Sequence, residues 1–261
     1  MKPTSVAFIP ARSGSKRVAN KNIRNLGEHP LLAYSITAAI QSKIFDTVIC
    51  ATDSEEYAQI ARHYGAEVPF LRSPEISGDK SPDIEWVAWM LRELEVLGRS
   101  YEAFSILRPT SPFRLPETIQ RAWAKFENDP LADSLRAIEA CKQHPGKMWV
   151  VQGGRMHPLM PFQNGETPWH SSQYTMLPLV YAQDASLEIA WSRLPLEQST
   201  IAGQSIIPFV SSGLEGFDIN QPEDWVLAEY YLANGIAKVV SISQAPYKNE
   251  EFKMNGVSKN G

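Results

Sequence analysis

The sequence predicts a doubly wound α/β fold, in which helices flank a mostly parallel sheet. Short apolar runs alternate with amphipathic segments through about residue 140 and lead into polar loops. Continuous apolar runs are typical of parallel strands that are buried on both faces. The chain has 261 residues and is 43% hydrophobic, which is enough for one sizeable core. Ligands of such sheets bind at the carboxyl ends of the strands, so we expect a site in the loops after the first strands.

The first elements are indicated by their flanking residues. Residues 6–9 are apolar and precede a Gly-containing loop, which predicts a buried first strand. A helix is expected after Pro30, which suits a first helical position because it lacks an N–H group. A second strand is predicted over 47–51, and Ser54 is expected to cap the helix that follows.

The next elements continue the alternation. Helical spacing of apolar residues predicts a helix from Ser81, and a strand is expected over 103–107. Two prolines interrupt residues 108–114, which predicts a rigid loop there. Another helix is expected to start at Pro116.

The periodicity is lost over residues 141–182, where Pro, Gly, His and Trp collect. We predict that this stretch is an inserted lid or dimerisation segment within a single domain spanning 1–240. Regular structure is expected to return over 186–191, and an amphipathic helix is expected after Pro222. Residues 241–261 are predicted to form a polar tail that frays.

Composition argues against several classes of protein. The chain has 25 Lys and Arg against 29 Asp and Glu, a net charge of −4, which is unlike a general nucleic-acid-binding surface. Cys50 and Cys141 do not form a Cys-x-x-Cys pair, so neither a disulfide framework nor a zinc or redox motif is indicated. No stretch approaches the roughly eighteen apolar residues of a membrane span, and the first residues do not resemble a signal peptide. We therefore expect a soluble cytoplasmic protein that binds neither nucleic acid nor membranes.

Cations are concentrated at the start of the chain. Residues 1–30 contain six cations and one acid, Glu28, a local charge of +5 (6 − 1). The cations are Lys2, Arg12, Lys16, Arg17, Lys21 and Arg24. Backbone N–H groups near Gly14 can cradle phosphate oxygens, and these cations can neutralise a triphosphate or a leaving pyrophosphate. Neither common glycine motif for phosphate binding is present, so a solvated basic loop stays an alternative.

Polar residues in two further segments of the chain are candidates for contacts to a nucleotide base or ribose. Thr52 and Asp53 follow the second predicted strand, and Arg72 follows the apolar residues 69–71. Side chains at strand ends can order a nucleotide. An Asp after a strand is equally typical of a helix cap, so both interpretations stay open.

Asp218 and Asn220 alternate along an extended segment, so their side chains point the same way. A carboxylate beside a side-chain amide oxygen suits Mg²⁺ held against nucleotide phosphates. The alternative is that Asp218 lies in a turn and caps the following helix. The histidines of the irregular segment have intervals that fit no zinc motif, and we reject a metal site there: His144, His157 and His170.

Five blocks of sequence occur in order between about residues 6 and 232. They are FIPARSGSK with KNI (8–16 and 21–23), ATDSEE (51–56), GAEVPFLR (65–72), LRPTSPFR (107–114) and DINQPED (218–224). Together they resemble the acylneuraminate cytidylyltransferase family, which comprises the CMP-sialic acid synthetases and their relatives.

The resemblance implies a Rossmann-like nucleotidyltransferase fold and a homodimer. It implies transfer of CMP from CTP to a 2-keto sugar acid, such as sialic acid or a related nonulosonate, with Mg²⁺ as cofactor and pyrophosphate as leaving group. In such enzymes the anomeric hydroxyl of the sugar attacks the α-phosphorus of CTP, and catalysis is mainly positioning and charge neutralisation. The product would serve the synthesis of bacterial surface polysaccharides.

The resemblance also assigns roles to single residues by motif position. The implied catalytic residues are Arg12, Lys21 and Asp218. The phosphates and ribose of CTP would be held by Arg12, Ser15, Lys16, Lys21 and Asn22, with Arg72 near the cytosine. The metal would be held by Asp218 and Asn220. The sugar acid would face Arg108, Thr110, Ser111 and Arg114.

The sequence departs from the family pattern at four places. The usual Asp-x-Asp is Asp218-x-Asn220, so one expected carboxylate is missing. Arg108 replaces the Gln of many relatives, and its guanidinium could pair with a carboxylate or phosphate of a different acceptor. Residues 173–178 lack the usual Arg-Gln pair, and residues 81–83 replace a hydroxyl-rich segment near the base pocket. Two alternatives stay open: a nucleotidyltransferase for another acidic or phosphorylated acceptor, and a non-catalytic nucleotide-binding homologue.

Overall fold

Short strands and six helices make up the computed structural model, which describes residues 2–78 and 80–248. The strands are β1 (Ser5–Pro10), β2 (Asn25–Leu26), β3 (His29–Pro30), β4 (Thr47–Ala51), β5 (Ala103–Leu107), β6 (Ser134–Ala140), β7 (Trp149–Gln152), β8 (Arg155–Pro158), β9 (Gln163–Asn164), β10 (Thr167–Pro168), β11 (Tyr181–Trp191) and β12 (Ile206–Val210). The helices are α1 (Leu31–Ser42), α2 (Glu55–His63), α3 (Asp83–Val96), α4 (Pro116–Glu127), α5 (Arg193–Glu197) and α6 (Pro222–Ala233).

The central sheet has six strands in the order β12-β6-β11-β5-β1-β4. β1 pairs in parallel with β4 and β5, and β12 pairs in parallel with β6. β11 is antiparallel to both of its neighbours, β5 and β6. The prediction of a mostly parallel sheet flanked by helices is therefore confirmed. The regular structure predicted over 186–191 is the second half of β11, which begins at Tyr181 and has an irregularity between Gln183 and Glu188.

Helices cover both faces of this sheet. Alternate residues of β1 point to opposite faces, so Ile9 enters the larger core and Phe8 the smaller one. The larger core lies under α1, α2, α4 and α6 and includes Trp123 and Trp225. The smaller core lies under α3 and α5, where Trp86 packs edge-on against Phe8 with ring centroids 5.8 Å apart. The sheet is buried on both faces, as its apolar strands predict.

The helices begin close to the predicted positions. The Ser54 hydroxyl accepts a hydrogen bond from the Tyr57 N–H (3.5 Å) and caps α2. α3 begins at Asp83 rather than at Ser81. The pyrrolidine ring of Pro82 disfavours helical backbone at the residue before it, so the helix starts after the proline.

Residues 141–182, which we call the lobe, contain small two-stranded ribbons and short 3₁₀ turns. The two ends of the lobe are joined where His144 Nε2 lies 2.9 Å from the Pro178 carbonyl oxygen. Lys147 Nζ donates to the carbonyl oxygen of Ser172 (2.5 Å). Polar contacts of this kind replace the apolar core that a further βα unit would supply.

Residues 241–248, which were expected to fray, pack against the described fold. The Tyr247 N–H donates to the hydroxyl of Tyr64 (3.1 Å), and the Gln41 side chain donates to the Ser241 carbonyl (2.9 Å). Ile242 and Tyr247 add apolar contacts to the larger core. The rest of the predicted tail, 249–261, lies outside the described residues. Within the described ranges, no helix combines the length and apolarity needed to span a membrane.

Candidate active site

An open cleft of about 280 Å³ lies where β1 and β5 end, at the carboxyl edge of the sheet. Its walls come from the loops after these strands and from the start of α3. Seven residues singled out in the sequence line it: Arg12, Ser15, Lys21, Asn22, Arg72, Arg108 and Thr110. The parallel arrangement of β1, β4 and β5 brings these distant chain positions to one edge of the sheet.

The basic loop after β1 is held to the end of β4 by Asp53. The carboxylate of Asp53 accepts from the Ser13 N–H (2.6 Å) and from the Ser13 hydroxyl (3.0 Å). Asp53 thus anchors this loop rather than facing the cleft. Gly14 has a φ of +70°, a left-handed conformation that favours glycine. Lys16 is exposed and does not line the cleft, although the sequence placed it at the phosphates.

Lys21 connects the basic loop to the segment around Asp218. Its Nζ donates to the Ile219 carbonyl oxygen at 2.6 Å, across 198 positions of sequence. Burial lowers the pKa of Lys21 below its ordinary value, the nearby Asp218 carboxylate opposes that shift, and Arg17 adds to it. The amine is therefore a partly desolvated cation at the cleft wall, where its charge acts strongly on an anion.

Asp218 and Asn220 lie beside the cleft and are not among its lining residues, and one oxygen of Asp218 has no hydrogen-bond partner in the described structure. Its Oδ2 accepts from the Asn220 side-chain amide (2.5 Å), whereas its Oδ1 is buried without a hydrogen-bond partner among the described residues. Asp224, not Asp218, caps α6: it accepts from the N–H groups of Asn220 (2.8 Å) and Gln221 (2.7 Å). The alternative that Asp218 caps this helix is therefore wrong, because Asp224 makes the capping contacts. A carboxylate with an unpaired oxygen fits a cation ligand.

Arg72 and Trp86 both line the cleft. The Arg72 guanidinium lies over the Trp86 ring, 5.1 Å from its centroid, and donates to the Ile76 carbonyl. Arg72 Nε is buried with no hydrogen-bond partner in the described part of the chain. Trp86 was missed in the sequence because its position in the apolar repeat of α3 is that of an ordinary core residue.

Arg108 pairs with carboxylates of the protein itself. Its Nη2 donates to Asp83 (2.6 Å) and to Glu188 (2.9 Å), and Arg136 also pairs with Glu188. Two cations and two carboxylates thus form a neutral cluster that joins the loop after β5 to β11, β6 and α3. Glu188 was missed in the sequence, where the one signal was a charge between two apolar residues in a strand. The guanidinium of Arg108 is therefore engaged before any acceptor binds.

Arg114 and Ser111 lie inside the fold, not at the cleft. Arg114 is 1% exposed and donates to the Ser35 hydroxyl (2.8 Å) and to the Ser186 carbonyl. Burial lowers the pKa of Arg114 to about 9, and the charge of Asp184 opposes the shift. The prediction that Arg114 and Ser111 face the sugar acid is not supported. Arg114 is held against α1 and β11, and the Ser111 hydroxyl is buried without a hydrogen-bond partner among the described residues. Thr110 and Arg108 are the members of this loop that line the cleft.

Comparisons with known proteins identify the family of this chain. A family model described as cytidylyltransferase matches residues 6–141, just over half of the chain. The CMP-N,N'-diacetyllegionaminic acid synthase of Legionella pneumophila is 32% identical over 227 residues, 86% of this chain and 94% of that protein. The N-acylneuraminate cytidylyltransferase of Escherichia coli O18:K1:H7 is 47% identical over 114 residues, 44% of this chain and 26% of that protein.

A solved structure shares the fold. It is that of CMP:2-keto-3-deoxy-manno-octonic acid synthetase complexed with CTP, with a TM-score of 0.65 and 13% identity over 89% of this chain and 99% of that chain. Fold, sequence and cleft lead to one assignment. The chain belongs to the cytidylyltransferase family, among its acylneuraminate cytidylyltransferase-like members, and is a CTP-dependent nucleotidyltransferase.

Proposed function

We propose that this enzyme transfers CMP from CTP to a 2-keto sugar acid of the sialic or legionaminic type and releases pyrophosphate. The observation that carries the proposal is the meeting of Lys21, on the basic loop, with the Asp218 segment beside the cleft. This arrangement offers cations for a triphosphate and a free carboxylate oxygen for a metal. The acceptor class is supported by the relatives, whose names specify legionaminic and N-acylneuraminic acids.

The proposed reaction is an in-line displacement at phosphorus. The anomeric oxygen of the sugar acid forms a bond to the α-phosphorus of CTP while the bond to the pyrophosphate oxygen breaks. The hydroxyl proton is released to solvent. Arg12 and Lys21 neutralise the charge that develops on the leaving pyrophosphate, and Ser15 and Asn22 help to hold the nucleotide in the cleft.

We propose that Mg²⁺ is held mainly by Asp218. Its Oδ1 lacks a hydrogen-bond partner in the described structure, and Mg²⁺ is commonly held by one or two carboxylates together with substrate phosphates. Asn220 turns its amide nitrogen toward Asp218 and orients the carboxylate. When bound, the ion would neutralise phosphate charge.

We propose that a second copy of this chain covers the apolar surface of the lobe. Large apolar side chains there are mostly exposed, including Val151 (71%), Met176 (65%) and Leu179 (70%). Contiguous exposed apolar residues typically mark an interaction surface.

Because CTP is a cytoplasmic nucleotide, the proposed reaction would place the enzyme in the cytoplasm, where a CMP-sugar acid could serve the synthesis of surface polysaccharides.

Arg108, which replaces a glutamine of many relatives, does not favour a different acceptor. Arg108 is held by Asp83 and Glu188, so its charge is already neutralised and gives no reason to expect a phosphorylated acceptor. Asn220, the reason to consider a non-catalytic homologue, orients Asp218 and leaves one carboxylate oxygen available.

Pyrophosphate release tests the proposed function. The enzyme would be incubated with Mg²⁺, each of CTP, UTP, GTP and ATP, and a panel of sialic, legionaminic, pseudaminic and octulosonic acids. We expect release with CTP and at least one sugar acid, and none without an acceptor. Release with another nucleotide in preference to CTP, or silence with the whole panel, would contradict the proposal.

A further inference from the structure

Two side chains of opposite hydrogen-bonding character face the cleft beyond the basic loop. Arg72 offers only N–H donors, whereas an ionised Asp83 offers only acceptor oxygens. Both line the same cleft, together with Trp86, Gly78 and Ser81. A ligand that lies between Arg72 and Asp83 must therefore present acceptors to the arginine and a donor to the aspartate.

Asp83 is held in one orientation by two donors. The Trp86 indole N–H donates to its Oδ1 (2.7 Å), and Arg108 Nη2 donates to its Oδ2 (2.6 Å). The side chain is still 29% exposed toward the cleft, and each carboxylate oxygen can accept a further hydrogen bond. Burial alone would raise the pKa of Asp83, but Arg108, Trp86 and Arg72 outweigh that effect and lower it, so the group stays an acceptor.

Arg108 is itself fixed from the centre of the sheet. Glu188, whose side chain is 3% exposed, accepts from Arg108 and also pairs with Arg136. The guanidinium therefore spans from a buried carboxylate on β11 to the first residue of α3. Moving Asp83 would require breaking a charged hydrogen bond in a partly desolvated setting.

The pairing edge of cytosine matches this pair of side chains. Its O2 and N3 are acceptors and its 4-amino group is a donor, whereas uracil presents an N3–H donor and an O4 acceptor. Opposite Arg72 and Asp83, uracil would place a donor against a donor and an acceptor against a carboxylate. A site with fixed polar groups rejects such a mismatch because its buried groups are left unpaired.

We propose that Asp83 selects the base of CTP by accepting a hydrogen bond from the 4-amino group of cytosine, and that Arg108 is the positioning residue that holds Asp83 for this contact. The inference rests on the proposed use of CTP and adds the residue pair that distinguishes it from UTP. Arg72 supplies the complementary donors, in agreement with its buried Nε that lacks a partner among the described residues.

Nucleotide binding to the full chain tests this assignment without any acceptor. Titration calorimetry would give the Kd of CTP and of UTP for the wild type, for Asp83→Asn and for Asp83→Ser. We expect the preference for CTP to fall at least about tenfold in both variants, because a charged hydrogen bond to the base is lost. Glu85→Gln, which removes an exposed charge from the same turn of α3, should keep the wild-type preference.

Arg108→Gln tests the positioning role. We expect it to lower the preference for CTP over UTP in the wild-type background and to have no further effect when Asp83 is already asparagine. Equal effects in both backgrounds would show that Arg108 acts independently of Asp83. Thermal melting of each variant would establish that it is folded.

The outcomes separate this inference from the proposed function. If folded Asp83→Asn and Asp83→Ser keep the wild-type ratio of CTP to UTP affinity, the inference is wrong while the proposed transfer stands. If the wild type binds CTP no better than UTP, both the base selection and the proposed use of CTP are wrong.

Discussion

Single residues from distant parts of the chain meet beside the cleft. Lys21 belongs to the first loop and Asp218 to the segment before α6, and the hydrogen bond from Lys21 to the Ile219 carbonyl brings them together. Ile219 in turn donates its N–H to the Thr110 carbonyl (2.9 Å), on the loop after β5. The basic loop, the Asp218 segment and the loop after β5 are therefore linked by short hydrogen bonds.

Lys21→Ala tests the cation of the basic loop. We expect kcat/KM for CTP to fall by about 10²- to 10³-fold, because one preorganised charge opposite the leaving pyrophosphate is lost. Lys21 is only partly buried, so the melting temperature should change little. Steady-state kinetics and a melting curve check both statements, and wild-type kinetics in the variant would remove Lys21 from the site.

Asp218→Asn tests the metal ligand. The Mg²⁺ concentration for half-maximal activity should rise about tenfold or more, because the amide replaces the carboxylate that would bind the ion. Asp224→Asn is the matched control: it weakens the cap of α6, which should lower stability by about 1 kcal/mol and leave the Mg²⁺ titration unchanged. A metal titration that is unaltered in Asp218→Asn would contradict the assignment.

At the scale of elements, buried polar contacts fix how the loop after β5 sits against its neighbours. Arg114 joins that loop to α1 through Ser35 and to β11 through the Ser186 carbonyl. It also donates to the carbonyl oxygen of Arg108 (3.3 Å). The loop that presents Arg108 and Thr110 to the cleft is thus supported from behind by a buried cation.

Arg114→Met tests this supporting role. The substitution leaves buried carbonyl oxygens without donors, so we expect a loss of roughly 1–3 kcal/mol in the free energy of unfolding. The Kd of CTP should stay near its wild-type value, since Arg114 does not line the cleft. Chemical denaturation and calorimetry measure the two quantities. A weakened acceptor KM with unchanged stability would return Arg114 to substrate binding.

The sequence was most informative where local patterns decide the structure. Apolar runs and the Ser54 cap predicted the strands and helices, and the ordered blocks predicted the cleft residues Arg12, Lys21 and Arg72. The Arg108 cluster could not be predicted, because its partners Asp83 and Glu188 come from elements distant in the chain and meet only when the sheet forms. Likewise, a loop sequence does not tell which of its side chains turn inward.

At the scale of the whole molecule, the lobe is distinguished from the rest of the described surface by its apolar residues. If a second copy covers it, Val151→Asp and Leu179→Asp should convert a dimer to a monomer by placing charge in a buried contact. Val226→Asp, on the exposed face of α6, is the control and should remain dimeric. Sedimentation velocity checks the three variants. A monomeric wild type would contradict the proposed dimer.

The central claim is that the cleft binds CTP and passes CMP to a sugar acid. Mass spectrometry of the reaction product tests it most directly, with CTP, Mg²⁺ and the sugar acid panel. We predict a product whose mass is that of the sugar acid plus CMP minus water, formed by the wild type and strongly reduced with Lys21→Ala and Asp218→Asn. If CTP binds by calorimetry yet no such product forms with any sugar acid, the claim of CMP transfer to a sugar acid is wrong.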